Sequence, residues 1–257
     1  MRYRVVLKLN KKQSGNILPI RYQYDLCRNI NWMLRSDSFL FNNWLKANHI
    51  SPNDASSMSL YCVSNLYVPH LYVFDDRMSI QVPKVQIWIS FHHDEETFDF
   101  LNHALLCKSF DLGDHKSSVN FTVESISPIK PVQFSDKMVY QSLSPVAVMA
   151  IRDNSIEFLD PTNPYFSQFI CDELIERWEK INKMPYTDSR QMELKMIAPP
   201  KRKAITIYSY NKPKKVICYM LKFEVTMNVQ LQELAYNLGI GDQVNNGFGY
   251  IELLNKD

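Results

Sequence analysis

The chain has 257 residues, of which 46% are hydrophobic and 12% aromatic, so it can bury a substantial core in one large domain or in two of about 130 residues. The formal net charge is only +2, so no overall excess of charge demands nucleic acid, and any basic surface must come from local clusters. The five cysteines are scattered without a CxxC pair, so we expect reduced thiols, with neither a disulfide framework nor a zinc site. The N-terminus lacks an apolar signal segment, so we expect a cytoplasmic protein that makes no contact with a membrane.

The first half of the chain predicts a β-α-β-β-α-β order with an added hairpin. One helix is predicted after Pro19, where Cys27, Ile30 and Leu34 recur at helical spacing. A second is predicted to open at Asp94-Glu95-Glu96, because acidic side chains suit the first turn of a helix. Alternating apolar residues predict strands at 3–9, 60–68, 85–91 and 119–126, and a hairpin over 71–82.

The second half repeats that order after Pro128 and Pro131, which mark a domain boundary because proline is not accepted in a central strand. Strands are predicted at 137–151, 192–198, 205–210, 216–227 and 250–254, and helices at 166–181 and 231–238. We therefore predict an α+β protein made of two tandem ferredoxin-like (βαββαβ) domains, residues 1–127 and 132–257.

Four of the six glycines lie close together in residues 239–249, at Gly239, Gly241, Gly247 and Gly249. The predicted order around them is helix, loop, strand, which is the reverse of the familiar phosphate-binding loops, and neither the dinucleotide nor the Walker pattern fits. A glycine-rich backbone can still approach a polyanion closely, because no Cβ blocks its amides. A helix C-cap followed by a turn is the alternative. We favour the binding interpretation.

A basic cluster accompanies the predicted strand at 205–210. Tyr208 and Tyr210 are interleaved with cations that offer phosphate contacts beside a base-stacking surface. The alternative is an edge strand protected by lysines against aggregation. The cations are Lys201, Arg202, Lys203, Lys212, Lys214 and Lys215.

Four segments together resemble a known family. They are the glycine-rich run at 239–249, LSPV at 143–146, LPIRYQY at 18–24 and PPKRKAITI at 199–207. In this order they resemble the CRISPR-associated endoribonucleases that cut repeat RNA, the Cas six (Cas6) family of the RAMP superfamily. The resemblance implies two ferredoxin-like domains and metal-independent cleavage of CRISPR precursor RNA, with no cofactor. The products would carry a 5′ hydroxyl and a 2′,3′-cyclic phosphate.

One candidate catalytic segment departs from the family pattern. Many relatives have Trp-Leu-His after the first helix, where this chain has Trp44-Leu45-Lys46, with His49 three residues further on. The position of an assisting tyrosine in some members corresponds to Asn31 here. Either His49 acts as acid or base while Lys46 stabilises the phosphorane, or the protein binds repeat RNA and cuts it slowly or not at all.

The remaining candidates favour structural roles. His92 and His93 are adjacent on a strand end, so their side chains are expected on opposite faces and no metal site is predicted. Phe248 is expected to pack beneath the glycine-rich loop. The predicted partner is CRISPR repeat RNA, with other subunits of a CRISPR effector complex as a further class of partner, and the protein is expected to be a monomer or homodimer.

Overall fold

The computed structural model describes residues 1–152, 155–209 and 212–254. The chain forms two compact units. The first comprises residues 1–55 and 65–130, and the second comprises residues 56–64 and the chain from Pro131 onward. Within the described ranges, no helix combines the length and hydropathy needed to cross a lipid bilayer.

Residues 1–130 contain four helices and eight strands. The helices are α1 (Gln23–Ser36), α2 (Ser38–Ala47), α3 (Pro52–Ser57) and α4 (Thr97–Leu105). The strands are β1 (Arg2–Leu9), β2 (Ile17–Pro19), β3 (Tyr61–Val63), β4 (Leu71–Phe74), β5 (Arg77–Ile80), β6 (Lys84–Phe91), β7 (Ser109–Gly113) and β8 (Ser118–Pro128).

The first unit is built around β1. This strand pairs antiparallel with β6 on one side and β8 on the other, and β7 extends the sheet beyond β8. Tyr3, Val5 and Leu7 of β1 are buried while Arg4 is exposed, which is the alternation expected of a strand with one face on the core. Helices α1 and α4 pack against each other, and β2, β5 and β4 form a separate three-stranded sheet.

The second unit completes the tandem fold. Its strands are β9 (Lys137–Ser142), β10 (Met149–Arg152), β11 (Ser155–Phe158), β12 (Glu193–Met196), β13 (Lys201–Ser209), β14 (Lys212–Met220), β15 (Lys222–Thr226) and β16 (Ile251–Leu253), and its helices are α5 (Phe166–Asn182) and α6 (Val229–Leu238). The central sheet has the order β12-β15-β9-β16, which is the order of a ferredoxin-like βαββαβ unit when the β13–β14 hairpin is set aside. The predicted α+β class with tandem ferredoxin-like folds is confirmed.

The observed elements differ from the predicted ones in several places. The strands predicted at 137–151 and at 216–227 are each divided into two, β9 and β10 in the first case and β14 and β15 in the second. Helix α2 was not predicted; it begins after Asp37, whose carboxylate accepts a hydrogen bond from the Leu40 amide as an N-cap. The acidic run at 94–96 precedes α4 instead of forming its first turn, and Glu96 has a left-handed φ of 56°. The predicted strand at 60–68 is reduced to β3, which belongs to the second unit with the rest of residues 56–64.

Candidate functional site

The C-terminal turn of α2 displays both candidate catalytic side chains. The His49 amide donates to the Lys46 carbonyl over 3.1 Å, and the Ile50 amide donates to the Leu45 carbonyl over 2.9 Å. These two bonds define a Schellman motif, in which the left-handed position is usually glycine. His49 occupies that position with φ 56°, and its side chain and that of Lys46 are exposed. An ionisable residue therefore stands where the backbone favours glycine, as is also the case at Lys183.

A buried framework holds this turn in place within the first unit. The Asn48 side chain is buried, and its Nδ2 donates to the carbonyls of Trp44 and Glu95, each over 2.9 Å. The indole N–H of Trp44 donates to Thr97 Oγ1 over 2.9 Å, and its ring stacks on Phe100 with centroids 5.0 Å apart. These contacts fix the α2 turn to α4 and to the segment that precedes it, so His49 and Lys46 are carried on a rigid support.

The glycine-rich loop uses its amides inside the protein. Gly239 donates to the Ala235 carbonyl over 2.9 Å, Gly247 to the Val244 carbonyl over 2.9 Å, and Gly249 to the Pro145 carbonyl over 2.8 Å. The expectation that this loop presents unobstructed amides is therefore wrong for these three residues, because their donors already have partners. A role in RNA binding for the loop stays a prediction.

Close contacts explain why glycine is needed at several of these positions. A Cβ on Gly249 would lie 2.2 Å from the Ile240 carbonyl oxygen, and one on Gly241 would lie 2.4 Å from the Ala147 carbonyl oxygen. Both residues also have φ near +75°, where side chains are strained. Phe248 is fully buried, as expected from its predicted position beneath the loop. The glycines thus allow two backbone segments to approach each other.

Sequence reasoning missed the side chain that anchors this loop. Arg177 of α5 is buried; its Nη1 donates to the carbonyls of Leu238 and Gly239, each over 3.1 Å, and its Nη2 donates to the Gly241 carbonyl over 3.0 Å. Glu173, one helical turn earlier, forms a bidentate ion pair with the same guanidinium. Burial raises the pKa of the Glu173 carboxyl even beside this cation. The i, i+4 spacing of Glu173 and Arg177 was the only sequence signal, and it is common on exposed helices.

The basic cluster lies on the β13–β14 hairpin, with cations on both faces. Residues directly opposite each other in an antiparallel pair share a face. Arg202, Thr206 and Tyr208 lie on one face of β13, because every second side chain of a strand points the same way. Lys215 shares that face, since it pairs with Thr206. The opposite face carries the buried Ile205, Ile207, Val216 and Cys218 together with Lys201, Lys203, Lys212 and Lys214.

The charges on this hairpin differ in how far they are neutralised. Asp160 lies close to Arg202, and hydrogen bonds from Thr162, the Tyr219 hydroxyl and the charge of Arg202 hold the pKa of the Asp160 carboxyl below its usual range. Within the described part of the chain, Lys201, Lys203, Lys212, Lys214 and Lys215 form no salt bridge. Tyr208 is 53% exposed, whereas Tyr210 lies outside the described residues. Lys214 is half-buried and its charge acts on the Asp242 carboxyl, whereas the other four lysines are exposed and available to an anionic ligand.

The paired histidines at the end of β6 are set apart from this chemistry. Burial, together with the neighbouring His93 and the chain's N-terminal ammonium, lowers the pKa of His92 to about 4, and burial also lowers the pKa of His93. Both rings are therefore neutral near pH 7. Among the residues that the structure describes, no group of three or more His, Cys, Asp or Glu side chains is placed to hold a metal ion.

Comparison with known proteins identifies the family. The profile described as "CRISPR associated protein Cas6, C-terminal" matches residues 127–253. A search of curated proteins found no match.

Solved structures agree with this match at the level of the fold. One, described as "Characterization of a Cas6-related gene from Pyrococcus furiosus", is 17% identical with a TM-score of 0.80, over 100% of this chain and 99% of that one. Another, "An RAMP protein binding different RNA substrates", is 20% identical with a TM-score of 0.78, over 99% and 100% of the two chains. A third, "CRISPR associated protein Cas6", is 18% identical with a TM-score of 0.77, over 99% of each. Its C-terminal half, residues 127–253, belongs to the Cas6 family of CRISPR-associated proteins, and the whole chain shares the fold of these three solved structures.

Proposed function

We propose that the protein cleaves CRISPR precursor RNA within its repeats, as a metal-independent endoribonuclease that leaves 2′,3′-cyclic phosphate and 5′-hydroxyl ends. The family match over residues 127–253 carries this proposal. It is supported by the exposed lysines of the β13–β14 hairpin and by one structural relative whose description records RNA binding. The lysines would contact backbone phosphates, and Tyr208 would stack on a base.

The proposed chemistry requires proton transfer and charge stabilisation at one phosphate. The ribose 2′-hydroxyl attacks the adjacent phosphorus, its proton is removed, and the departing 5′ oxygen is protonated. The nucleophile belongs to the RNA, so no metal-activated water is needed. His49 is the candidate for one of the proton transfers, because imidazole exchanges a proton near neutral pH. Lys46, on the same turn, supplies a positive charge for the pentavalent phosphorane.

A second candidate function rests on two residue positions. By the resemblance to the family, Lys46 stands where many relatives have a histidine, and Asn31 stands where some have an assisting tyrosine. A protein with these replacements could hold repeat-derived RNA as a subunit of a CRISPR effector complex without cutting it. The enzyme is supported by the exposed imidazole of His49, which lies on the same turn as the exposed Lys46.

Cleavage of labelled repeat RNA in EDTA separates the two functions. The enzyme yields a cyclic-phosphate product, and no product forms when the nucleotide 5′ of the scissile bond is 2′-deoxy. Intact RNA that is shifted in a native gel supports the binding subunit. His49→Ala is expected to reduce cleavage at least tenfold and to leave binding within a few-fold, as typical for loss of a general acid or base. The matched control is His70→Ala, which removes another exposed histidine; equal rates for both variants would remove His49 from the site.

A further inference from the structure

A polar cavity of about 460 Å³ lies between α1 and the edge strand β7 in the first unit. Its α1 residues follow the spacing i, i+3, i+4 and i+7, so most of them lie along one stripe of the helix. Asn31, on the same helix, also lines this cavity. The lining residues are Asp25, Arg28, Asn29, Asn31, Trp32, Asp111 and Gly113.

Fixed hydrogen bonds form one wall of the cavity. Asn29 Nδ2 donates to the Asp111 carbonyl over 3.1 Å and to the Asp25 carbonyl over 3.0 Å, so it joins α1 to β7. Both bonds use the amide nitrogen, which leaves the amide oxygen able to accept from a ligand. The Asp25 carboxylate supplies two further acceptor oxygens, and its side chain is 42% exposed, so a ligand can reach them. The cavity is thus rich in acceptors and suits a ligand with a donor edge.

Two exposed side chains complete the cavity. Trp32 is 67% exposed, and a large ring in that setting offers a face on which a nucleobase can stack. The Arg28 side chain is 64% exposed and lies 3.7 Å from Asp25, an exposed pairing that contributes little and can be exchanged for a phosphate. A bare anion is disfavoured, because Asp25 and Asp111 both line the cavity. The base, and not the phosphate, must therefore provide most of the recognition.

We propose that this cavity binds one guanine nucleotide of a single-stranded RNA segment, with the base stacked on Trp32, its donor edge on the Asp25 carboxylate and its phosphate near Arg28. Guanine carries two adjacent donors, N1–H and the 2-amino group, which match the two oxygens of a carboxylate. Adenine and cytosine place an acceptor beside their amino group, and uracil places its single N–H between two carbonyls. The RNA ligand rests on the proposed function, whereas the base preference follows from the cavity.

The test measures base preference on the full-length protein by fluorescence anisotropy. Labelled UUUGUUU is compared with UUUAUUU, UUUCUUU and UUUUUUU. We expect the guanine oligomer to bind at least tenfold more tightly than the others. Asp25→Asn and Trp32→Ala should each reduce this preference to less than threefold, while Trp32→Phe should restore much of it because stacking returns. Phe39→Ala, which removes a 75% exposed ring on α2, is the matched control and should keep the preference.

The outcomes separate this inference from the proposed function. Equal affinities for all four oligomers, or a preference that survives in both Asp25→Asn and Trp32→Ala, would overturn the guanine site, even if the protein cleaves repeat RNA in the separate assay. A guanine preference that depends on Asp25 and Trp32 would support the site, even if repeat RNA stays intact. Failure of cleavage alone contradicts only the proposed enzyme.

Discussion

The left-handed conformation of His49 predicts that glycine at this position stabilises the protein while it removes activity. A residue with a Cβ in this conformation loses roughly 1–2 kcal/mol relative to glycine, and glycine loses about 0.4–1 kcal/mol through the greater freedom of the unfolded chain. The His49 side chain is exposed, so its own contacts contribute little. We therefore expect His49→Gly to be more stable than His49→Ala by about 0.5–1 kcal/mol. At about 2–4 °C per kcal/mol for a chain of this size, the melting temperature should be higher by about 1–4 °C.

Urea denaturation of the two His49 variants measures this difference, and repeat-RNA cleavage is followed in parallel. Both variants should lose cleavage at least tenfold, since both lack the imidazole. Lys183, at the C-terminal end of α5, has φ 55° and provides a matched pair of variants outside the proposed catalytic turn. Lys183→Gly should likewise exceed Lys183→Ala in stability, but cleavage should be unchanged. If His49→Gly is no more stable than His49→Ala, the assigned conformation of this turn is refuted.

Three further predictions concern other parts of the molecule. Arg177→Met should lower the free energy of unfolding by about 2–4 kcal/mol in urea denaturation, because it leaves the half-buried Glu173 carboxylate and three loop carbonyls without their partner. An equal loss in Lys180→Met, which removes an exposed cation on the same helix, would contradict this. Lys203→Ala and Lys215→Ala should each weaken RNA binding whatever the RNA sequence. In filter binding at several salt concentrations, each should reduce the slope of log affinity against log salt concentration by about 0.7. Lys180→Ala, the control, should leave this slope unchanged. The folded-state pKa of His92 is depressed from 6.5 to about 4, so the unfolded chain binds more protons than the folded chain between these pH values. The stability of the protein should therefore fall as the pH falls through this window. Urea midpoints of His92→Gln that decline as steeply as those of the parent would disprove this contribution.

The strands were the most predictable part of the fold, because half-buried strands such as β1 alternate apolar and polar residues in the sequence itself. Helix α2 was less predictable, since Phe39 is 75% exposed while Phe41 and Trp44 are buried, so its apolar residues do not define one face. The glycine-rich loop shows a different limit. Its glycines were evident, but the acceptor of the Gly249 amide is Pro145, more than a hundred residues earlier in the chain. Local sequence cannot tell whether an amide faces solvent or a distant carbonyl.

The segment at residues 56–64 has a consequence for dissecting the molecule. It precedes most of the first unit in sequence, yet it belongs to the second, where β3 contacts α6 and the Cys62 thiol lies 3.5 Å from the Phe248 carbonyl oxygen. A C-terminal fragment that starts at Pro131 would therefore lack Leu60, Cys62 and Val63, which are buried in the intact chain. Such a truncation would uncover apolar surface next to the glycines and invite aggregation. Supplying the missing nonapeptide in trans would be expected to rescue its solubility.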